Sequence, residues 1–481
     1  MNTNYKIENY INGDFFISSN TSEIQNINPS DSKIINSFRE TSLQDVDLAI
    51  DAAKIAQKKW SRLPAIERAQ YLKKIAEIIR KKEDLFVSTI MQEQGKIKDL
   101  AKGEVQGAAN YLDYTAEWAR RIEGEIVTSD SPDENIFIFK IPMGVVAGIL
   151  PWNFPFFLIV RKLAPALVAG NTIIIKASEE TSNNAFLFSQ ILEEINLPKG
   201  VVNFVYGSGA TVGRRLSAHK DVDMISFTGS VETGSAIMTE AAKNITKVNL
   251  ELGGKAPAIV LADADIDLAV SKIRDARIVN SGQVCNCVER VYVDKKIADE
   301  FTEKLTIAMK NTTFGNPNKT NNIDYGPLIN EEGLDKVNDL VLSAKNAGAD
   351  IITGGNRGQT DDGGIYFYPT VISNCKQDMR IIREEIFGPV LPIVTFEDLD
   401  QAIDFANDSD FGLTSSIFTN NLKTAMRACN EIKFGETMIN RDNMEIFQSF
   451  HAGLRKSGIG GADGKHGLYE YMQTHAVYMR S

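Results

Sequence analysis

The sequence predicts an α/β fold in which mainly parallel sheets are covered by helices on both faces. Short, continuously apolar runs alternate with stretches of helical periodicity from Gly144 onward. Continuously apolar strands are typical of parallel sheets that are buried on both faces. The length of 481 residues also favours two or three domains with a large core. In such doubly wound folds, ligands bind at the carboxyl ends of the strands.

The individual elements follow in chain order. The Asn12-Gly13 pair between apolar residues predicts a hairpin turn, and residues 42–118 have apolar positions at helical spacing. Residues 124–143 predict two strands around a polar turn, which form either an arm that reaches another subunit or an ordinary surface hairpin. The first predicted strands span residues 144–150, 172–175, 201–206, 224–227 and 256–261, and a second α/β block from about Gly254 includes strands at 291–293, 351–352, 389–396 and 414–418.

The composition argues against several classes of function. The chain carries 52 Lys and Arg residues against 63 Asp and Glu residues, which gives a net charge of −11. An acidic chain without basic clusters argues against nucleic acid as a partner. No apolar run approaches the roughly 18 to 20 residues that span a bilayer, and the N-terminus lacks the apolar core of a secretory signal. These features predict a protein without a membrane partner.

Cysteine and histidine usage predicts a reduced, cytoplasmic protein without a metal centre. Four cysteines in a chain of 481 residues do not form a disulfide framework. Neither a CxxC nor an HExxH pattern occurs. The histidines are scattered along the chain, at His219, His451, His466 and His475.

The best candidate for a phosphate-binding loop lies at residues 227–234 (FTGSVETG). It follows a predicted strand and opens a helical stretch, where free N–H groups attract a diphosphate and glycine allows a close approach. Phe227, Gly229 and Ser230 are therefore predicted to contact a dinucleotide. The loop does not match GxGxxG, which weakens the signal. A second Gly-rich turn that includes Gly213 is more typical of a structural loop edge.

A carboxylate also follows the predicted strand at residues 172–175. Glu179 at this position is suited to bind both hydroxyls of an adenosine ribose and would repel a 2′-phosphate. This residue therefore predicts NAD rather than NADP as the cofactor, with Lys176 as a second ribose contact. The alternative interpretation is a solvated charged turn.

Three separated segments supply the groups of an acyl-enzyme mechanism. Cys285 follows a Gly-Gln turn and is the candidate nucleophile. Asn153 is the candidate side-chain donor to the oxyanion that forms on carbonyl attack, with the Cys285 backbone N–H as second donor. Glu251, in a Glu-Leu-Gly-Gly run, is the candidate general base for thioester hydrolysis. No histidine is near Cys285 in sequence, so the charge that supports its thiolate is expected from a bound nicotinamide.

Each of these residues alone has an ordinary structural interpretation, as a core cysteine, a capping asparagine or a surface glutamate. Their joint presence in a fixed order favours the catalytic interpretation. We also predict a helix over residues 153–167, on which Asn153, Phe157 and Arg161 share one face toward a single pocket. Cys287 is interpreted as a packing residue.

Six ordered motifs make the chain resemble the aldehyde dehydrogenase superfamily along nearly its whole length. The motifs are PWNFP at 151–155, KASE at 176–179, FTGSVETG at 227–234, LELGGK at 250–255, GQVC at 282–285 and EEIFGPV at 384–390. The resemblance implies NAD(P)-dependent oxidation of an aldehyde to an acid, with Cys285, Glu251 and Asn153 in the roles given above. It also implies that Glu385 and Phe387 hold the nicotinamide ribose.

The resemblance further implies an aldehyde dehydrogenase fold with a Rossmann-like cofactor domain, an α/β catalytic domain and a small β oligomerisation arm. The expected boundaries are 1–123 with 144–253 for the NAD-binding domain, 254–452 for the catalytic domain, and 124–143 with 464–481 for the arm. The family-based expectation for assembly is a homotetramer, built as a dimer of dimers. The expected cofactor-binding residues are Leu150, Pro151, Trp152, Lys176, Ser178, Glu179, Gly213, Phe227, Gly229, Ser230, Leu252, Glu385 and Phe387.

Within the family, the chain is most similar to bacterial members that oxidise lactaldehyde and glycolaldehyde. The similar stretches are residues 148–167, 280–293, 435–445 and 450–468. In that subgroup polar residues hold the small hydroxyaldehyde, and the matching positions are Asn153, Arg161, Asn286, Glu445 and His451. A pocket for fatty or aromatic aldehydes would place an apolar side chain at position 161, because an unpaired buried charge is costly.

Three other functions are kept as alternatives. Arg161 suits the carboxylate of succinate semialdehyde, whereas Glu445 would repel it. Transfer of the acyl group to CoA is less compatible with a retained Glu251, which indicates hydrolysis. A non-catalytic scaffold would be expected to lose the nucleophile, the base or the cofactor loop, and all three are present.

Overall fold

The computed structural model describes residues 5–480, so the expected domain ranges extend beyond it at residues 1–4 and 481. The strands are β1 (Asn9–Ile11), β2 (Asp14–Phe16), β3 (Glu23–Asn28), β4 (Lys33–Arg39), β5 (Glu125–Thr128), β6 (Glu134–Pro142), β7 (Val145–Ile149), β8 (Thr172–Lys176), β9 (Val202–Val205), β10 (Met224–Thr228), β11 (Lys247–Glu251), β12 (Ala256–Val260), β13 (Val288–Asp294), β14 (Asp350–Thr353), β15 (Arg357–Gly358), β16 (Tyr366–Phe367), β17 (Thr370–Ser373), β18 (Val390–Phe396), β19 (Thr414–Phe418), β20 (Glu436–Ile439), β21 (Gly458–Ile459) and β22 (Met472–Arg480).

Helices alternate with these strands and cover the sheets. They are α1 (Leu43–Trp60), α2 (Ala65–Lys81), α3 (Glu83–Glu93), α4 (Lys98–Glu117), α5 (Phe157–Ala169), α6 (Ser182–Glu194), α7 (Arg214–Ser217), α8 (Val231–Ala241), α9 (Ile266–Ile278), α10 (Ala298–Lys310), α11 (Glu331–Asn346), α12 (Arg380–Arg383), α13 (Leu399–Asn407), α14 (Leu422–Glu431) and α15 (Gly464–Glu470). The predicted helical stretch at residues 42–118 is confirmed as α1 to α4. Within residues 5–480, no helix is both long and apolar enough to cross a membrane.

Eight strands form a first sheet in the order β2-β1-β9-β8-β7-β10-β11-β21. The five strands from β9 to β11 in this order are parallel, whereas β1 and β21 pair antiparallel at either side. Strands β7, β8 and β9 are buried throughout, as their apolar sequences predict. The predicted Asn12-Gly13 turn is confirmed, because Ile11 pairs with Asp14 across it. The carboxyl ends of β7, β8, β10 and β11 therefore meet at one edge.

A second sheet has the order β14-β17-β18-β13-β12-β19-β20 and is parallel except for the pair of β14 and β17. Residues 252–255 join β11 directly to β12. The carboxyl edge of the first sheet thus faces the amino edge of the second. Gly254 lies at this junction, where a Cβ atom would be 2.2 Å from the carbonyl oxygen of Cys285. Only glycine permits this close approach of the two backbones.

A third sheet combines the predicted hairpin at residues 124–143 with the C-terminal strand. Strand β6 pairs antiparallel with both β5 and β22. Apolar side chains on this sheet are open to solvent in the single chain, with Ile126 75% and Tyr478 66% exposed. The two strands predicted around a polar turn are confirmed as β5 and β6. Strand β22 is the third strand of this sheet and pairs with β6.

The helix predicted over residues 153–167 begins later than expected, at Phe157. Asn153 therefore lies in the turn before α5 and not on the helix. Two physical causes fix this start: Pro155 disfavours a helical conformation at the preceding residue, and the buried carboxylate of Glu104 accepts the backbone N–H groups of Phe156 and Phe157 at 2.9 and 3.1 Å. Strand β11 was not identified from the sequence, because its alternating polar and apolar residues differ from the continuously apolar runs used to predict strands.

We expect α5 to be critical for stability, because nearly all its side chains are buried between the first sheet and helices α2 and α4. Leu163 on α5 is 0% exposed, so Leu163→Ala should lower the free energy of unfolding by about 2–5 kcal/mol. Chemical denaturation measures this change. Leu422→Ala is the matched control, because Leu422 is 76% exposed and its loss should cost no more than about 0.5 kcal/mol. Equal losses for both variants would contradict the packing described for α5.

Candidate active site

Cys285 lies in a loop immediately before β13, at the junction of the two large sheets. Asn280 and Ser281 in this loop have positive φ angles of 50° and 63°, which is costly for residues other than glycine. Hydrogen bonds hold the strained backbone: Ser281 Oγ donates to the Gly326 carbonyl at 2.9 Å, and Gln283 Nε2 donates to the Asn280 carbonyl at 3.0 Å. The Cys285 thiol is thus presented, half-buried, by a fixed loop.

Asn153 and Cys285 line the same cleft. The Asn153 side chain donates from Nδ2 to the carbonyl of Gln283 at 3.0 Å, and its backbone carbonyl accepts a hydrogen bond from Lys96 Nζ at 2.7 Å. Lys96 also forms an ion pair of 2.5 Å with Glu104, and both side chains are fully buried. Helix α4 and the segment before it therefore fix the amide that was predicted to bind an oxyanion.

Glu251 is the last residue of β11 and is turned toward α5. Its Oε2 lies 3.2 Å from Lys162 Nζ and accepts a hydrogen bond from Thr228 Oγ1 at 3.0 Å. Burial favours the neutral acid, but the positive charges of Lys162, Arg161 and His451 outweigh this effect and lower the pKa of Glu251 to about 2. The side chain is therefore an ionised carboxylate that binds a proton weakly in this position.

A buried network of charged and amide groups adjoins Asn286. The guanidinium of Arg161 lies between two carboxylates, with Nε 3.1 Å from Asp463 Oδ1 and Nη1 3.2 Å from Glu445 Oε1. Asn286 Nδ2 donates to the other oxygen of Glu445. Asn286 Oδ1, in contrast, is buried and has no hydrogen-bond partner within the described chain. Three predicted substrate contacts, Arg161, Asn286 and Glu445, therefore belong to one network.

His451, a further predicted substrate contact, lies between Glu436 and Cys285. Its Nδ1 is 2.9 Å from Glu436 Oε2, and its side chain is buried. Burial opposes the charged imidazolium, but the Glu445 carboxylate and the hydrogen bonds to Cys285 and Glu436 raise the pKa of His451 well above its ordinary value. The fold thus brings a charged histidine that is distant in sequence into the buried polar network.

A cleft of about 510 Å³ opens beside Cys285 at the carboxyl edge of the first sheet. The predicted strand–turn–helix at residues 227–234 is confirmed and contributes to its wall. Ser230 Oγ accepts the backbone N–H of Thr233 at 3.2 Å and so caps the start of α8. The predicted cofactor residues that line this cleft are Pro151, Trp152, Gly229, Ser230, Leu252, Glu385 and Phe387.

A second cavity of similar volume lies between α8 and a π-helical turn at Gly209–Gly213. Gly213, one of the predicted cofactor residues, lines this cavity. Glu179 Oε1 accepts the Gly209 N–H at 3.4 Å, and its Oε2 pairs with Lys176 Nζ at 2.8 Å, which places both predicted ribose contacts at the cavity border. The remaining predicted cofactor residues are buried and line neither cavity: Leu150, Ser178 and Phe227.

Several residues that shape the site were missed in the sequence. They are Lys96, Glu104, Lys162, Glu436 and Asp463. Lys162 had a usable signal, because a charged residue inside the apolar stretch at residues 157–169 must be buried and paired. The other four give no comparable local signal, since their partners come from distant segments.

Among residues 5–480, no group of three or more His, Cys, Asp or Glu side chains is arranged to hold a metal ion.

Cys287 is buried, and this burial raises the pKa of its thiol to about 12. A thiol that ionises so weakly suits the packing role expected for Cys287.

Comparison with known proteins identifies the family. The sequence model of the protein family described as "Aldehyde dehydrogenase family" matches residues 16–477. Lactaldehyde dehydrogenase from Escherichia coli (strain K12) is 55% identical over 98% of both chains. A crystal structure of lactaldehyde dehydrogenase from Escherichia coli superposes with a TM-score of 0.98 at 54% identity, covering 99% of both chains. A crystal structure of betaine aldehyde dehydrogenase from Staphylococcus aureus in complex with NAD+ superposes with a TM-score of 0.96 at 36% identity, covering 99% of this chain and 95% of that chain. The chain therefore belongs to the aldehyde dehydrogenase family and has its α/β fold.

Proposed function

We propose that this enzyme oxidises short hydroxyaldehydes, lactaldehyde to lactate and glycolaldehyde to glycolate, with NAD as the hydride acceptor. The proposal rests mainly on the buried network of Arg161, Glu445 and Asn286, and Asn286 is the residue that follows Cys285 in the chain. A pocket for apolar aldehydes would not bury such groups, because each unsatisfied one costs about 1–3 kcal/mol. The identity to Escherichia coli lactaldehyde dehydrogenase supports the same substrate class.

Asn286 is the residue best placed to bind the substrate hydroxyl. Its Nδ2 is committed to Glu445, whereas its buried Oδ1 has no partner among the described residues. A hydroxyl on the carbon next to the aldehyde would donate to this oxygen and satisfy it. Arg161, Glu445 and His451 supply the rest of the polar surface around the hydroxyl.

In the proposed reaction, Cys285 Sγ adds to the aldehyde carbon to form a thiohemiacetal. Negative charge develops on the former carbonyl oxygen, and Asn153 Nδ2 and the Cys285 backbone N–H donate to it. One amide hydrogen of Asn153 is bound by the Gln283 carbonyl, so the second is available for this task. When bound, NAD+ accepts the hydride that leaves the thiohemiacetal carbon. The acyl group then remains on Cys285 as a thioester.

Water hydrolyses this thioester, and we assign the general base to Glu251. In the position described above, its pairing with Lys162 holds its pKa at about 2, and so acidic a carboxyl group is a poor base. We therefore expect Glu251 to leave Lys162 after hydride transfer and to turn toward the acylated Cys285. A weaker interaction with the lysine then raises its pKa toward the operating range.

The cleft and the second cavity are proposed to hold the two halves of NAD. Ser230, at the start of α8, would hold the diphosphate with its backbone N–H, and Gly229, whose own N–H donates to the Glu251 carbonyl at 3.0 Å, would allow the phosphates to approach closely. Glu385 and Phe387 line the cleft next to Cys285 and are proposed to hold the nicotinamide ribose. The cleft volume and the capped helix start fit this part of a dinucleotide.

The proposed preference for NAD over NADP rests on Glu179. Although burial opposes ionisation, the neighbouring Lys176 lowers the pKa of Glu179, so the carboxylate is charged at neutral pH. Two hydroxyls of an adenosine ribose can donate to this carboxylate, whereas a 2′-phosphate would be repelled by it.

We also propose an assembly and a location. Residues 5–123 with 144–253 would form the NAD-binding domain, 254–452 the catalytic domain, and 124–143 with 464–480 the oligomerisation arm. Exposed Ile126 and Tyr478 on the three-stranded sheet support association through this sheet, because apolar patches favour burial against a partner, and we propose the homotetramer expected for the family. The acidic composition and free cysteines support a cytoplasmic enzyme.

The charges near Arg161 disfavour oxidation of acid semialdehydes. Arg161 would be the natural partner of a substrate carboxylate, but it is already paired with Asp463 and Glu445. A second anion at this point would meet two carboxylates and one guanidinium. The pocket therefore favours a neutral hydroxyl over a carboxylate.

The proposed specificity predicts the outcome of a substrate comparison. With NAD+, kcat/KM for lactaldehyde and glycolaldehyde should exceed that for succinate semialdehyde by about 10²-fold or more, because Arg161 is already paired with Glu445 and Asp463 and the extra carboxylate would meet both anions. Spectrophotometric NADH formation measures this. Cys285→Ala should abolish NADH formation, whereas the matched control Cys429→Ala, at an exposed cysteine, should retain it. A preference for the semialdehyde, or activity in Cys285→Ala, would contradict the proposal.

The assignment of Glu251 predicts a separation of two kinetic phases. Glu251→Gln should still release a rapid burst of NADH, because hydride transfer precedes hydrolysis, but its steady-state rate should fall by about 10²–10⁴-fold. Stopped-flow measurement of NADH resolves both phases. Glu431→Gln, at an exposed glutamate, should leave both phases unchanged. A Glu251→Gln enzyme with normal steady-state turnover would show that another group activates the water.

A further inference from the structure

Glu289, Arg277 and Lys255 form a buried triad of charges behind the loop of Cys285. Glu289 is the second residue of β13, and its Oε1 is 2.7 Å from Arg277 Nη1 while its Oε2 is 2.8 Å from Lys255 Nζ. The three residues are at most 1% exposed. Burial favours the neutral acid, but the two neighbouring cations outweigh this effect and lower the pKa of Glu289 to about 2. Glu289 is therefore an ionised carboxylate in a fixed position.

The same carboxylate binds residues 385–388 (the ribose segment), which are proposed to hold the nicotinamide ribose. Glu289 accepts the backbone N–H of Ile386 at 2.8 Å on Oε2 and that of Phe387 at 3.1 Å on Oε1. Phe387 has a positive φ of 59°, which is costly for a bulky residue. Its ring lines the cleft and packs edge to face against Trp152, with 5.7 Å between the ring centroids. The hydrogen bonds to Glu289 therefore stabilise a strained backbone at the cleft.

Arg277 connects the ribose segment to the loop of Cys285. Its Nε donates to the Gly388 carbonyl at 2.6 Å, and its Nη1 and Nη2 donate to the carbonyls of Val288 and Gly282 at 2.8 and 3.4 Å. Gly282 and Val288 lie on either side of Cys285 in the chain. One guanidinium therefore holds both ends of the loop and the end of the ribose segment at a fixed separation.

Lys255 adds a third segment to the triad. It ends the link at residues 252–255, and its carbonyl accepts a hydrogen bond from Arg290 Nε at 2.9 Å. Gly254, next to it, donates its N–H to Glu385 Oε1 at 2.8 Å. The three side chains of the triad line neither the cleft nor the second cavity, so they act on the site through the backbone that they hold.

We propose that Glu289 is a positioning residue for hydride transfer. Through Arg277 and the ribose segment, it sets the position of the nicotinamide ribose relative to Cys285. In this step the thiohemiacetal carbon gives its hydrogen and the bonding electron pair to NAD+, and the oxyanion electrons re-form the C=O bond of the thioester. A misplacement of about 1 Å can slow such a step by about 10²-fold. The inference rests on the proposed function, since it takes Cys285 as the nucleophile and the cleft as the nicotinamide site.

The test compares two reactions of Glu289→Gln, one that needs NAD+ and one that does not. The amide keeps the size of the side chain, but it loses the charge and one of the two acceptor oxygens. The NADH burst with lactaldehyde, followed by stopped flow, should have a rate constant about 10-fold to 10²-fold below that of the wild type. Deuterium on the aldehyde carbon should slow this burst more strongly in the variant, because hydride transfer then limits it.

The second reaction is the hydrolysis of 4-nitrophenyl acetate without NAD+. Cys285 Sγ forms a bond to the acetyl carbon and 4-nitrophenolate leaves, so a thioester arises without hydride transfer, and water then hydrolyses it. Hydrogen bonds outside the triad also hold the Cys285 loop, among them that of Ser281 Oγ to the Gly326 carbonyl. Glu289→Gln should therefore hydrolyse this ester at the wild-type rate.

The matched control is Asp263→Asn, which changes an exposed carboxylate at the opposite edge of the second sheet. Asp263 Oδ2 also accepts a backbone N–H, that of Asn420 at 3.1 Å, and its loss should leave both reactions unchanged. An unchanged NADH burst in Glu289→Gln, or equal losses in both of its reactions, would overturn the inference. NADH formation by Cys285→Ala would instead overturn the proposed function.

A measurement on the wild type does not depend on how the variant folds. In the cofactor-free enzyme, the N–H groups of Ile386 and Phe387 should exchange with deuterium more slowly than free amides by about 10²-fold or more, because Glu289 already binds them. Mass spectrometry of overlapping peptides across the ribose segment measures this exchange. Rapid exchange of both amides that slows only when NAD+ is bound would also overturn the inference.

Discussion

The pairing of buried charges is the constraint on which the site depends. A buried charge without a partner costs several kcal/mol, so each buried cation near Cys285 determines where a carboxylate must lie. The pairs are Lys96–Glu104, Lys162–Glu251 and Arg161–Asp463. In the pairs Lys162–Glu251 and Arg161–Asp463 the two partners come from distant segments, so these pairs connect α5 to β11 and to the segment before α15. The pair Lys96–Glu104 instead fixes Asn153, because Lys96 Nζ also donates to the Asn153 backbone carbonyl. The positions of Asn153, Glu251 and Asn286, the proposed oxyanion donor, base and hydroxyl contact, follow from these pairs.

The direct link between the two large sheets explains why the site is formed here. Residues 252–255 lead from the carboxyl edge of one parallel sheet to the amino edge of the other, so loops from both sheets meet within a few ångströms. Gly254 permits the approach to the Cys285 backbone, and Glu385 Oε1 accepts the Gly254 N–H at 2.8 Å. A cofactor in the cleft would therefore lie at this junction, next to Cys285.

The sequence predicted features that depend on a local pattern of residues. It did not predict features that depend on contacts between distant segments. The apolar runs at β7 to β9 predicted the parallel sheet, and the ordered motifs located Cys285, Asn153 and the loop at residues 227–234. The predicted helix start at Asn153 was wrong, because Pro155 and the distant carboxylate of Glu104 delay it. The hydrogen bond between His451 and Glu436 was not predictable either, since neither residue has a local sequence signal for it.

We propose above all that the polar network of Arg161, Glu445 and Asn286 selects an aldehyde by its hydroxyl group. Lactaldehyde and propanal differ only in that hydroxyl, so the ratio of their kcat/KM values with NAD+ tests the claim most directly. A site built to bind a hydroxyl rejects the analogue that lacks it, because Asn286 Oδ1 then stays buried and unpaired. We expect a ratio of about 10² or more in favour of lactaldehyde. A kcat/KM for propanal equal to or above that for lactaldehyde would contradict it.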